Sequence, residues 1–357
     1  MNRIKSLDGL RAISIILVLI GHCRPTMPPV LAQSLLFDIL PGGALGVNIF
    51  FVISGYLITR LLIAEKNKTG RNSLKQFYLR RILRIFPVFY LYILVIILLK
   101  VFFMPDIING FTTVAVAGLY LWNYAVFFHF DPGPIGGWFL GHFWSLAMEE
   151  QFYLLWPLAF VLAASLKKLK KAVVVIILLM PVIRVGSYFL VPMIRPEIGL
   201  MLHTAGDYIL TGCLGALIEM SPEFEARYLK YVKSKLIVIV AFFCLLVIDP
   251  VLTHYFAGAY NLSVGMSANN LFILIILFWS MYVPSWFQRM LNKKLMVRIG
   301  LLSYSLYIWQ QLILTPHMDT WLNKFPQNLV VVFLIALLSY HVVEKPVLRL
   351  KERFKAV

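Results

Sequence analysis

Charge is what this sequence has least of. Asp, Glu, Lys and Arg make up 14% of its 357 residues, against about 25% in soluble proteins. That scarcity excludes a soluble domain with an ordinary polar surface. Cysteine is nearly absent: Cys23, Cys213 and Cys244 show no CxxC or metal-like spacing, which argues against a disulfide framework and a zinc site. No phosphate-binding glycine loop, HExxH or GxSxG occurs, so nothing marks an ATPase, a zincin or a serine hydrolase. There is no internal repeat, which weighs against transporter folds built from inverted repeats. The first apolar run, Leu7–Cys23, lacks a small-residue cleavage site and reads as a retained span rather than a signal peptide.

What the chain does have is apolar length. Hydrophobic residues make up 61% of it, and at about 20 residues per span there is room for roughly ten crossings and no separate soluble domain. Apolar runs fall near 7–23, 43–63, 85–104, 111–128, 140–165, 172–191, 204–220, 233–249, 268–283, 299–316 and 329–343. The net charge of +17 sits in short loops between these runs, as on the cytoplasmic side of membrane proteins, and so does not indicate nucleic acid. Arg3 and Lys5, the loop from Lys66 to Arg81, Lys167–Lys171, Arg227–Lys235, Arg289–Arg298 and the tail from Lys345 read as cytoplasmic; 24–42, 192–203, 250–267 and 317–328 read as outer. Two of the cytoplasmic loops are separated by three apolar runs, so one run fails to cross. The run at 111–128 contains Gly118 and Asn123 and leads into Asp131-Pro-Gly-Pro-Ile-Gly-Gly137; irregular backbone at membrane depth is tolerated against protein or a water-filled cavity. The expectation is an all-α polytopic membrane protein with about ten transmembrane helices, one re-entrant or non-spanning segment at 111–137, and both termini cytoplasmic. A membrane-embedded domain spans 1–345, with a short basic cytoplasmic tail at 346–357.

Ionisable residues inside spans are functional-site hypotheses. The candidates are Arg11, His22, Glu149, Glu150, Arg184 and Asp207. Arg11 and His22 are eleven residues apart, about 1,100° of helical rotation, so they share a face about 16 Å apart along the axis. Two readings fit: an anion holder below a general base, or a snorkelling Arg and an interfacial His. His142, Ser145 and Glu149 share one helical face at the outer level of His22, where a carboxylate can orient an imidazole; a polar network without catalytic role fits the same spacing. Arg80, Arg81 and Arg84 precede the third span, and guanidinium pairs suit phosphate, though positive-inside charge alone would also place them there. Asp207 either orients an acceptor hydroxyl or pairs with Arg184. Gly206, Gly212 and Gly215 suggest close helix packing. The aromatics of the tenth span around Trp309 read as core or interface anchors.

These blocks together resemble the bacterial membrane acyltransferase family 3, the O-acyltransferases of cell-surface polysaccharides, over nearly the whole length. Arg11-x10-His22, Gly46-Val-Asn-Ile-Phe-Phe-Val-Ile-Ser-Gly-Tyr-Leu-Ile58, Arg81-x-x-Arg84, Trp144-Ser-Leu-x-x-Glu149 and Ser303-Tyr-Ser-Leu-Tyr-Ile-Trp309 follow the family order. Asn48 stands where the family often has an acid, and Gln310 where it often has His.

The resemblance implies an enzyme of the bacterial inner membrane that moves an acyl group, most simply acetyl, from cytoplasmic acyl-CoA to a hydroxyl of a lipid-linked or cell-surface glycan. Acyl-CoA is then a co-substrate, with no bound cofactor and no metal. Arg11, Arg80, Arg81 and Arg84 would hold the donor. His22 would act as general base or as an acylated nucleophile, with Glu149 orienting it. Asn48, His142, Trp144, Ser145, Asp207, Tyr304 and Gln310 would line the cavity or acceptor site. The hydrolase-like extracytoplasmic domain of some members has no counterpart here, so transfer is expected to finish within the membrane domain or on a separate protein. A glycan-lipid transporter or flippase is the alternative from a different class.

Overall fold

The computed structural model describes residues 3–34 and 42–351, except for the side chain of Lys351. Every regular element among these residues is helical. The main helices are α1 (Lys5–Cys23), α2 (Gly43–Thr69), α3 (Leu74–Phe102), α4 (Gly110–Gly118), α5 (Gly136–Gly141), α6 (Phe143–Leu162), α7 (Leu166–Leu190) and α8 (Asp207–Glu219). They continue as α9 (Lys235–Phe243), α10 (Asp249–Tyr260), α11 (Met266–Tyr282), α12 (Lys294–Ile313), α13 (Gln327–Ser339) and α14 (Lys345–Lys351). Among the described residues, six stretches of helix are long and apolar enough to cross a membrane: Lys5–Thr26, Gly43–Thr69, Leu74–Phe102, Leu166–Leu190, Lys235–Tyr282 and Gln327–Leu350.

Local chemistry explains where several of these begin. Ser73, Ser165 and Ser234 each accept a hydrogen bond from the backbone N–H three residues on, capping α3, α7 and α9. The segment expected not to cross is broken as its composition dictates. Its helix α4 has nine residues, about 13 Å of rise against a bilayer core of about 30 Å. Asp131 then closes a turn, accepting from the Gly133 N–H and the Asn109 amide, both at 2.9 Å.

Residues 250–267, expected as an outer loop, are instead mostly helical. Lys235–Tyr282 is one run of 48 residues, interrupted at Ala257, whose φ of 42° and ψ of −122° leave the helical region. The stretch read as a basic tail from 346 is helical as far as Lys351, and 352–357 lie outside the described residues.

The described chain divides into two compact units. One contains residues up to Ile13, Val47–Asn72 and Met148–Gly300. Its core holds a fully buried ion pair between Arg184 and Asp207, and close packing of α2 on α8, where a Cβ at Gly212 would strike the carbonyl oxygen of Val52. The other contains Ser14–Gly46, Ser73–Ala147 and Leu301 onward. There the chain beyond the last turn of α1 is tied to the start of α13: the Asn328 amide donates to Thr26 Oγ1, which donates to the Cys23 carbonyl, each at 2.7 Å.

Candidate active site

His22 ends the buried stripe of α1 formed by Ile15, Val18 and Leu19, and is itself half-buried. Its Nδ1 lies 3.0 Å from the carbonyl oxygen of Val18. A carbonyl only accepts, so Nδ1 carries the hydrogen and Nε2 keeps the lone pair. The Trp138 indole meets the imidazole edge-on, ring centres 6.0 Å apart at 78°. Trp138 is fixed in turn by its Nε1–H, which donates to the Gln311 carbonyl at 2.9 Å.

Gln311 also organises the junction of α5 and α6. Its Oε1 accepts from the backbone N–H of His142 at 3.1 Å and from His142 Nδ1 at 2.5 Å. The hydroxyls of Ser145 and Tyr307 are 2.5 Å apart, and both reach the His142 carbonyl. Tyr92 packs its ring on both His142 and Trp309 and donates to the Phe139 carbonyl at 2.7 Å. Gln310 is fully buried, and neither of its amide atoms has a hydrogen-bond partner among the described residues. His142, His22 and Ser145 therefore fall in one unit, together with Trp138, Tyr307 and Gln311.

Arg80, Arg81 and Arg84 lie on the first turns of α3 in the same unit, each half-buried. The Arg81 guanidinium sits 5.5 Å over the Phe77 ring. Arg84 acts electrostatically on Glu344, a buried carboxylate that also accepts from Ser305 Oγ at 3.0 Å. Tyr304 donates to the Ile85 carbonyl at 2.6 Å, tying α12 to α3. Trp144 is half-buried on α6.

Arg11, Asn48, Glu149 and Asp207 belong to the other unit. Of the two roles open to Asp207, the geometry takes the ion pair. Both its oxygens receive Arg184 Nη2 at 2.9 Å, and Ser267 donates to it at 2.5 Å. Arg184 spends its other donors on the carbonyls of Thr204 and Leu262. With every partner internal and both side chains at 0% exposure, Asp207 is structural rather than available to an acceptor.

Reading the sequence missed Trp138, Tyr307, Gln311 and Glu344. One signal was there: Ser303, Tyr307 and Gln311 recur every four residues, which puts three hydrogen-bonding groups on one face of an apolar helix. A second buried network was missed too. Glu219 accepts from Tyr56 at 2.7 Å and from Tyr282 at 2.5 Å, and pairs with Arg60 at 3.3 Å; Arg60 and Glu219 line a cavity of about 470 Å³.

Comparison with known proteins gives this arrangement a context. A family described as an acyltransferase domain (acyltransferase family 3) matches residues 4–342. A peptidoglycan O-acetyltransferase of Listeria monocytogenes is 30% identical over 96% of this chain and 56% of its own length. An O-acetyltransferase of Staphylococcus aureus is 30% identical over 98% of this chain and 58% of its own length. The chain thus spans a little over half the length of these relatives. No solved structure matches it.

Proposed function

The chain belongs to acyltransferase family 3, and from that premise we propose that it moves an acetyl group from cytoplasmic acetyl-CoA to a hydroxyl of a cell-wall glycan of the peptidoglycan type. The observation that carries the reading is the His22–Val18 hydrogen bond, which leaves Nε2 as the basic nitrogen without any rearrangement. In the proposed reaction Nε2 takes the proton of the acceptor hydroxyl. The hydroxyl oxygen bonds to the acetyl carbon, the carbon–sulfur bond breaks, and the proton passes to the departing thiolate. Glu149 balances the imidazolium formed in between. Arg81 and Arg84, with Arg80 and Arg11, hold the negative end of the donor from the inner side. This reading uses ten crossings of the inner membrane with both termini cytoplasmic, supported by the basic loops, the six long apolar helices and the shortness of α4. Acetyl-enzyme formation on His22 is the two-step variant, and burst kinetics separate it from direct transfer.

The test is acetyl-CoA turnover by the purified chain with a peptidoglycan-type glycan acceptor. Acetylated glycan and free CoA should appear in equal amounts. Movement of a glycan-lipid across the bilayer without CoA release would replace the proposal with transport.

A further inference from the structure

We propose that α5, Trp138 and His317 form a groove that holds a pyranose ring of the acceptor beside His22. The proposal rests on the acyl-transfer reading above and adds the residues that would bind the sugar.

The first observation is a bare face on α5. Gly137 and Gly141 are four residues apart and so share one side of the helix. A Cβ at either would meet no atom within 4 Å. Gly136, by contrast, faces inward, where a Cβ would come to 3.3 Å from the Ile107 carbonyl oxygen. The helix therefore packs on one side and offers open space on the other, with no side chain to fill it.

The second observation is what stands around that face. Trp138 follows Gly137 directly, and its half-buried indole is locked in place by the Gln311 carbonyl. Two imidazoles approach this indole edge-on: His22 at 6.0 Å and His317 at 5.7 Å between ring centres. His317 is exposed, packs against Phe139 at 6.4 Å, and has its backbone N–H held by Thr315 Oγ1 at 3.2 Å. Asn323 and Asn328 pin the rest of this loop through the Ile313 and Asn323 carbonyls, so His317 is presented from an ordered support.

An aromatic ring beside a smooth backbone surface and a hydrogen-bonding imidazole is complementary to a sugar, which shows apolar C–H edges on one side and hydroxyls around its rim. An acyl chain would gain nothing from the imidazole, and a phosphate would seek a guanidinium instead. The same indole touches His22, so a ring held in the groove has its hydroxyls near the proposed base. Trp138 and His317 are thus assigned as specificity residues for the acceptor.

The experiment measures binding of a chito-oligosaccharide to the full chain in nanodiscs, and separately the KM values for that sugar and for acetyl-CoA. His317→Ala should weaken sugar binding about tenfold, the size of one lost hydrogen bond, and His317→Gln should recover most of it. Gly137→Val fills space that no protein atom occupies, so a purely structural role for α5 predicts no effect, whereas the groove predicts a similar tenfold loss. The acetyl-CoA KM should stay within about twofold in each. Sugar affinity unchanged in both His317→Ala and Gly137→Val overturns the groove. Sugar binding intact in the wild-type chain without acetyl-CoA turnover would instead remove the donor assignment and leave the groove standing.

Discussion

His22 turns its Nδ1 onto the Val18 carbonyl, 3.0 Å away and one helical turn earlier in α1. The bond makes the helix itself the group that sets the tautomer, so the chemistry of Nε2 is built into the last turn of the first span. Replacing His22 with Gln keeps a polar side chain of similar reach but removes the basic nitrogen. Acetyl transfer should fall by about 10²–10⁴ in kcat, the usual contribution of a general base, with the unfolding temperature in detergent little changed. Glu149→Gln should lower kcat less and leave donor KM alone. Transfer that survives both substitutions would remove this pair from the mechanism.

The Arg184–Asp207 pair predicts a different kind of loss. Both side chains are wholly buried and fully hydrogen-bonded, so removing one leaves the other charged and unpaired, at a cost of about 3–5 kcal/mol. Asp207→Asn and Arg184→Met should each lower the unfolding temperature sharply, and the double substitution Arg184→Met with Asp207→Leu should recover much of it. Activity should track the folded fraction. An Asp207→Asn protein that is fully stable but inactive would return Asp207 to the acceptor site.

Much of this was legible in the sequence where the signal is local. Gly118 and the breakers from Asp131 to Gly137 marked an interrupted segment, and α4 ends at Gly118. The spacing of Arg11 and His22 marked one helix. What escaped was set by tertiary contact. Trp138 and Gln311 meet across 173 residues of chain, and nothing local to Gly136–Gly141 announces the imidazoles beside it. Residues 250–267 read as an outer loop because they carry no lysine or arginine. The chain nevertheless stays helical there, and leaves helical backbone geometry at Ala257.

Donor binding should show the signature of screened charge. Arg81 is half-buried near the start of α3, so its contribution to holding a phosphate is exposed in part to salt. Arg81→Ala should raise the acetyl-CoA KM several-fold at low ionic strength, and the difference from wild type should shrink as salt is added. Acetyl-pantetheine, which lacks the nucleotide phosphates, should be used equally well by both proteins. A KM that ignores both substitution and salt would leave the arginines with a topological role only.

Arg84 carries a second duty that separates it from Arg81. It acts electrostatically on Glu344, a carboxylate with 5% exposure that also accepts from the Ser305 hydroxyl at 3.0 Å. Arg84→Ala should therefore destabilise the protein, while Arg81→Ala should not. Glu344→Gln in the Arg84→Ala background should restore part of the stability, because a neutral amide no longer needs the guanidinium, and yet leave donor binding weak. Thermal unfolding and acetyl-CoA KM measured on all four members of the cycle check this directly. If the two substitutions add without coupling, the pair contributes nothing, and Arg84 would then be free to serve the donor alone.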